Sequence, residues 1–334
     1  MIKRLFLHQM MEWIVSICHP LFAASGSSPY HRKHILNRMK NKPLTLLAMI
    51  ILSTATTFAQ QQATGGQYFF NPYLVNPALG GTTAGLTVTG SIRKQFTNTP
   101  GAPLAQTLTA AYQLNERAAI GANFVHDKAG LLSTTRGLAT FSYHLPLNEK
   151  TAKLHFGAGL GGARERINAS EIVGDADPDI VALNDQTAQI DGSFGFALTT
   201  ELFTLEGAIP QLTQVFARET LKNTVDRSLF FAAVAYRLKL GGSDQLSINP
   251  KIAYRAYRGI KNIIDAGAEV RLVNEQLRLM ALYHSSQSAS VGLSFEKETG
   301  FGIQAIYTTS VSSLQSPLGS NFELGLKLRI GNGE

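Results

Sequence analysis

Apolar and polar residues alternate with a period of two over much of the chain. The clearest case is NFELGLKLRI, residues 321–330, in which every second residue from Phe322 onward is large and apolar. The same alternation runs through SVGLSFE at 290–296 and KLHFGAGL at 153–160. Successive side chains of a β-strand point to opposite faces. These segments are therefore predicted to be strands with one apolar face and one face of glycine, serine and charge.

The alternating segments are long enough to cross a membrane as strands. Each covers roughly 8–13 residues, and a tilted strand needs about 9–11 to cross the hydrocarbon layer. No run of 18 apolar residues follows Ala59, so no transmembrane helix is expected there. Fourteen strands are predicted, at residues 86–96, 105–114, 118–126, 134–145, 152–163, 189–198, 201–208, 227–240, 244–254, 262–273, 276–284, 288–296, 300–308 and 321–331.

Loop lengths separate a barrel from a sandwich, which would also show alternation. Connections after even-numbered strands are short, among them NER at 115–117 and TT at 199–200. Those after odd-numbered strands are mostly longer, including residues 164–188 and 209–226. Outer-membrane barrels show this asymmetry, and only a closed sheet satisfies its backbone in lipid. The sequence predicts an all-β fold: a transmembrane antiparallel β-barrel of about 14 strands at 86–331, with short periplasmic turns and longer extracellular loops.

Charge does not point to a nucleic-acid partner. The net charge is +7, but residues 1–59 hold seven of the 30 basic residues and one of the 23 acidic ones. The rest of the chain is therefore close to neutral, whereas a nucleic-acid-binding domain carries a basic patch. The single cysteine, Cys18, also lies in this leader, so no disulfide and no cysteine metal site is expected after it.

The leader predicts export. Residues 39–59 combine a basic start, an apolar stretch and small residues before a cleavage site between Ala59 and Gln60, as in a secretory signal peptide. Residues 1–38 are interpreted as an over-extended start without structure, with a long basic n-region as the alternative. Residues 60–85 are predicted to be an irregular N-terminal segment that leads into the barrel.

A glycine-rich motif and a set of histidines have residue types found in cofactor-binding or catalytic sites, but not the sequence context that such sites need. Residues 157–162 match G-x-G-x-x-G, but they lie inside an alternating strand rather than between a strand and a helix, so small lumen-facing residues are the preferred interpretation. The histidines at 126, 144, 155 and 284 are scattered without a second histidine at metal-ligand spacing. No enzyme activity, metal or cofactor is predicted from these residues.

The acidic stretch DADPD at 175–179 resembles the opening of a calcium-binding loop. Its sixth position is Ile180 where an EF-hand has glycine, and its twelfth is Gln186 where an EF-hand has glutamate. It is therefore predicted to be a solvated acidic loop, and calcium capture by its carboxylates stays open.

Residues 67–163 resemble the start of a known family. QYFFNPYLVNPALGG at 67–81 is followed by a first strand ending in Arg-Lys-Gln-Phe and then by a Gly-Ala-Pro turn. This order is similar to the start of the PorP/SprF family, outer-membrane proteins associated with type IX secretion and gliding in Bacteroidetes. The likeness extends to about residue 163, and Glu323 matches the family's last strand. The matching positions are Asn71, Pro72, Asn76, Pro77, Arg93, Gln95, Gly101, Ala102, Pro103, Asp127 and Gly130.

The resemblance implies a non-enzymatic role at the outer membrane. It predicts a barrel that helps to secrete or retain surface proteins such as adhesins. The implied partners are outer-membrane lipid, type IX secretion components and secreted proteins with C-terminal sorting domains. A general porin or small-solute transporter is the first alternative, since a fourteen-stranded barrel has room for a lumen. A structural β-protein of the periplasm is the second.

The double Asn-Pro motif itself predicts irregular backbone. Each proline fixes its own φ and removes the preceding residue from helical space. Irregular backbone is tolerated outside the bilayer or inside a lumen. A structural role, as a periplasmic turn or a lumen-filling segment, is the preferred interpretation, and direct contact with a partner is the alternative.

Overall fold

The alternating segments form strands in the computed structural model, which describes residues 66–97, 101–147, 152–169, 178–216, 228–240, 246–257, 261–297, 299–310 and 320–331. The predicted leader, at 1–59, lies outside these residues. The strands are β1 (Leu86–Lys94), β2 (Leu104–Asn115), β3 (Ala118–Ala129), β4 (Leu132–Pro146), β5 (Lys153–Ile167), β6 (Gln189–Thr199), β7 (Phe203–Ile209), β8 (Ser228–Tyr236), β9 (Leu238–Lys239), β10 (Leu246–Tyr257), β11 (Ile263–Leu272), β12 (Leu277–His284), β13 (Ser288–Glu296), β14 (Phe301–Ser310) and β15 (Asn321–Ile330).

The strands close into a barrel of fourteen. Each strand pairs antiparallel with its neighbours, β15 pairs with β1, and β10 pairs with β11 to complete the circle. The two-residue β9 continues β8 beyond Arg237, and both pair with β10, so they count as one strand of the wall. The barrel predicted from the alternation is confirmed. Closure leaves no edge strand in the described part of the wall.

The two ends of the barrel differ as predicted. We call the end with connections such as 116–117 and 200–202 the turn end, and the opposite end, which carries residues 168–188 and 210–227, the loop end. Two loop-end connections, at 130–131 and 285–287, are as short as turns. By the usual orientation of such barrels, the turn end faces the periplasm.

Two short helices in the loop-end connections were not predicted. They are α1 (Pro178–Asp185) and α2 (Leu212–Phe216). Both are too short to show a 3.6-residue pattern that can be told from chance. In the described part of the chain, no helix is long and apolar enough to cross a membrane.

The strand faces divide the barrel into an apolar outside and a polar inside. In β15, Phe322, Leu324 and Leu326 are exposed on the outer face, whereas Asn321 and Glu323 are buried on the inner face. Exposed aromatic side chains lie near both ends of the outer face, as at the two interfaces of a bilayer. Those near the turn end include Tyr112, Tyr143 and Tyr236, and those near the loop end include Tyr254, Tyr283, Tyr307 and Phe322.

Candidate functional site

The most unusual feature of the barrel is what fills it. Residues 66–81, which we call the lumenal segment, precede β1 and are largely buried against inward-facing side chains of the wall. The two Asn-Pro pairs start two 3₁₀ turns, Pro72–Leu74 and Pro77–Leu79. Proline suits the first position of a helical turn because its missing N–H would have no partner there. The Oδ1 atom of Asn76 accepts a hydrogen bond from the Ala78 amide at 3.1 Å and so caps the second turn.

One side of the lumenal segment is held by β10, β11 and β15. The Gln67 side-chain amide donates to the Glu323 carboxylate, and the Tyr68 hydroxyl donates to Asp265 Oδ2 at 2.7 Å. Burial raises the pKa of the Tyr68 phenol well above its ordinary value, so it remains a donor. The Lys327 ammonium lies 4.4 Å from the centre of the Phe70 ring.

The other side is held by β2, β3, β4 and β6. Asn71 Nδ2 donates to Thr109 Oγ1 at 3.0 Å, and Asn123 Nδ2 donates to the Leu74 carbonyl at 3.2 Å. The Tyr73 and Thr140 hydroxyls lie 2.5 Å apart. The Asn76 amide donates to the carbonyl of Phe196 at 3.0 Å. The segment therefore crosses the lumen from β11 to β6 and satisfies its polar groups on facing walls.

Inward-facing glycines make room for the second 3₁₀ turn. A Cβ built on Gly157 would overlap the backbone of Pro77 and Ala78. One built on Gly195 would overlap the Asn76 side chain. Gly157 and Gly159 of the run at 157–162 thus have a packing reason on the inner face, in keeping with the interpretation of these glycines as small lumen-facing residues, whereas Gly162 lies on the outer face opposite Gly137.

Replacing Gly157 with alanine is expected to lower the free energy of unfolding by about 1–3 kcal/mol, because the new methyl group displaces the second 3₁₀ turn from the wall. Thermal unfolding in detergent, read by loss of heat-modifiable gel migration, measures the effect. Gly90→Ala is the matched control, since its Cβ would meet no atom closer than 3.8 Å. Equal stability of both variants would show that the turn does not press on the wall.

Arg93 and Asp127, two further positions at which the chain resembles the family, lie between the lumenal segment and the loop end. Arg93 stands opposite Glu323 on one neighbouring strand and opposite Ala105 on the other, and Ala105 stands opposite Asp127. This row on the inner face therefore places one buried guanidinium between two carboxylates, with the small Ala105 leaving space for it. Since Glu323 also accepts from Gln67, the row is joined to the lumenal segment.

Two glycines join the first two loop-end connections. Gly101 and Gly130 both have positive φ, of 69° and 59°, a conformation that glycine adopts without steric cost. The Gly130 amide donates to the Gly101 carbonyl at 3.0 Å, and the Gln95 amide donates to the Pro103 carbonyl at 2.9 Å. Ala102 lies between these contacts. The structure therefore brings the β1–β2 and β3–β4 connections together.

The structure contains a charged cluster next to Tyr68 that the sequence pattern does not predict. His284 Nδ1 lies 2.6 Å from Asp265 Oδ1, and His284 Nε2 lies 2.8 Å from Ser290 Oγ. Arg255 forms an ion pair with Asp265 at 2.7 Å. The order of contacts is that of a Ser-His-Asp triad, but Ser290 is 1% exposed and its hydroxyl also lies 2.7 Å from Thr308 Oγ1. A nucleophile must reach its substrate, so the cluster is better explained as the anchor of Tyr68.

The histidines are scattered in the sequence, but two of them meet in the folded barrel. His144 and His155 come from paired strands, and their Nδ1 atoms lie 2.8 Å apart inside the barrel. His155 Nε2 also lies 2.7 Å from Thr199 Oγ1. No group of three or more metal-ligating side chains occurs within the described ranges. The acidic stretch 175–179 lies outside those ranges except for its last two residues, which begin α1.

Most of the chain matches a known protein family. The family described as "Type IX secretion system membrane protein PorP/SprF" matches residues 57–328. The chain belongs to the PorP/SprF family. The match spans the lumenal segment and nearly the whole barrel, so it extends well beyond residues 67–163, which carry the resemblance in the sequence. This PorP/SprF protein is thus a type IX secretion membrane protein with an outer-membrane barrel fold.

Solved outer-membrane proteins are similar to the PorP/SprF chain at low identity. Omp33 of Acinetobacter baumannii is 10% identical with a TM-score of 0.45, over 75% of this chain and 100% of that one. A FadL homologue of Pseudomonas aeruginosa is 12% identical with a TM-score of 0.43, over 82% and 100%. The toluene transporter TbuX of Ralstonia pickettii is 12% identical with a TM-score of 0.45, over 77% and 92%. No curated protein matches the chain.

Proposed function

We propose that this PorP/SprF protein is a non-enzymatic, plugged barrel that helps to secrete or retain surface proteins such as adhesins at the outer membrane. Membership of a type IX secretion family supports the setting. The observation that carries the proposal is the lumenal segment, which hydrogen-bonds to walls on both sides of the lumen. A barrel occupied in this way offers its ends, rather than its lumen, to partners.

The loop end is the surface that a secreted protein would meet after crossing the membrane. It carries the long connections, and binding functions concentrate on loops held by a rigid scaffold. The β1–β2 and β3–β4 connections contact each other through Gly101 and Gly130, which supports a partner surface built from several loops. The row of Arg93, Glu323 and Asp127 lies beneath this surface and links it to the lumenal segment.

We expect the purified barrel to retain a secreted surface protein through its C-terminal sorting domain. Tagged barrel in detergent is incubated with an isolated sorting domain, and the bound fraction is measured after washing. An adhesin fragment that lacks the sorting domain is the control. Equal recovery of both fragments, or of neither across sorting domains from several cargo proteins of the same organism, would contradict the proposed role.

A further inference from the structure

The outer face of β3, β4 and β5 becomes polar at the loop end. His126, Thr135 and Arg164 stand opposite one another in one row across the three strands. Lys128, Ser133 and Arg166 stand opposite one another in the next row toward the loops. These positions share their strand face with exposed residues such as Phe124, so they point away from the lumen. Three basic side chains, those of Lys128, Arg164 and Arg166, therefore lie within two adjacent rows on the outside of the barrel.

The rest of this outer face is apolar. Phe124, Phe141 and Leu160 are 45%, 50% and 68% exposed and lie between the two polar rows and the turn end. Such side chains mark the depth of the hydrocarbon layer. The polar rows stand beyond that band, on the side of the long loops, at the level where the headgroups of outer-leaflet lipids lie.

A cavity opens between the apolar band and the basic rows. Gly137 and Gly162 stand opposite each other, and neither presents a side chain to fill the space. The cavity has a volume of about 390 Å³, and these glycines and Ala188 form its less polar part. Its polar part is formed by Ser133, Thr135, Arg164 and Arg166. The volume is within the range of small-molecule sites.

No carboxylate of the described residues neutralises the two arginines. Neither Arg164 nor Arg166 forms an ion pair within the described ranges, and Glu165 between them belongs to the inward-facing set. Arg164 Nη2 donates to the Asn184 carbonyl of α1 at 3.0 Å, while its buried Nε has no hydrogen-bond partner among the residues that the structure describes. Asn184 is itself fixed by two 2.8 Å bonds with the Ile167 backbone. The Arg164 guanidinium is thus held in place near the exposed Arg166, and both arginines line the cavity.

We propose that this cavity binds the phosphate group of an outer-leaflet lipid. Arginine donates two parallel hydrogen bonds to phosphate and keeps its charge at all physiological pH values. Arg164 and Arg166 would donate to the phosphate oxygens, with the Ser133 and Thr135 hydroxyls beside them. The hollow over Gly137 and Gly162 receives the part of the lipid that continues toward the hydrocarbon layer. The bound lipid would fix the height of the loop end in the membrane.

Native mass spectrometry of the full-length barrel in detergent tests this site. The probes are a synthetic phosphorylated glycolipid of the lipid A type, the same lipid without phosphate, and inorganic phosphate. We expect the double variant Arg164→Gln with Arg166→Gln to bind the phosphorylated lipid at least about tenfold more weakly than the unmodified barrel, because two charge-assisted contacts are lost. The barrel should bind the dephosphorylated lipid and inorganic phosphate weakly in both forms.

The matched control is Arg117→Gln with Lys153→Gln, which removes two positive charges from exposed positions at the turn end. Heat-modifiable migration shows that each variant is a folded barrel. Unchanged lipid binding by the loop-end variant, or an equal loss in the turn-end variant, would overturn the assignment. Binding of the dephosphorylated lipid as tight as the phosphorylated one would also overturn it. So would inorganic phosphate binding as tightly as the lipid, since the site would then not select a lipid.

Discussion

Replacing Asp265 with alanine is expected to lower the free energy of unfolding of the barrel by about 3–5 kcal/mol, the cost of leaving a buried partner charge unpaired. The carboxylate binds Arg255 at 2.7 Å, and the exposed fractions of the two side chains are 3% and 0%. Asp265 also receives the Tyr68 hydroxyl, at 2.7 Å, and lies 2.6 Å from His284 Nδ1. The substitution therefore removes the partner of three groups at once: the Arg255 guanidinium, the Tyr68 hydroxyl and the His284 ring. Unfolding in urea, followed by heat-modifiable migration, measures the loss.

A second variant separates the lost ion pair from general damage. In Asp265→Ala with Arg255→Met, no guanidinium is left unpaired, so we expect it to recover a large part of the stability that Asp265→Ala loses. Asp185→Ala is the matched control, because this aspartate is exposed at the end of α1. A stability of Asp265→Ala that equals that of the control would mean that the cluster does not hold the lumen together.

The fold could be predicted from the sequence because each strand carries its own signal. In β15, apolar residues face lipid, whereas Asn321, Glu323 and Lys327 face the lumen. The alternation in the sequence therefore predicts directly which side of the barrel wall each residue faces. The fourteen predicted strands all occur, with ends displaced by a few residues. The helices α1 and α2 could not be predicted, because a helix of one or two turns leaves no measurable period.

The candidate site could be predicted only in part. The prolines of the double Asn-Pro motif indicate irregular backbone, but the partners of this segment, such as Thr109 and Asp265, come from strands far apart in the chain. They meet only because the barrel closes. The pairing of Asp265 with His284 likewise depends on the β11–β12 register. A one-residue shift of that register would turn one of the two side chains outward. Local patterns do not contain such information.

Replacing residues 67–78 with an equal length of alternating glycine and serine is expected to convert a closed barrel into a conducting one. A barrel of fourteen strands is wide enough to hold a lumen. In the native chain that space is crossed by the lumenal segment, including the large buried side chains of Tyr68, Phe70 and Tyr73. Glycine and serine cannot fill it, so water enters and ions follow. Single-channel recording in planar bilayers measures the change.

The native barrel is expected to show little steady conductance, and the variant a stable open level several times larger. The wall itself should tolerate the change, because its inward-facing polar groups, such as Lys251 and Glu206, remain paired at 2.7 Å and gain water as a further partner. If that replacement does not assemble, Tyr68→Ala with Tyr73→Ala is the milder version. It removes two rings and should raise conductance to an intermediate level.

The control is replacement of Thr82, Thr83 and Ala84 by the same glycine and serine pattern, since these residues are exposed between the lumenal segment and β1. It lengthens no loop and removes no contact with the opposite wall, so conductance should stay at the native level. A native barrel that already conducts as well as the 67–78 variant would show that the lumenal segment does not close the path. That result would favour a porin or small-solute transporter over a plugged barrel, because the lumen would then be a working channel.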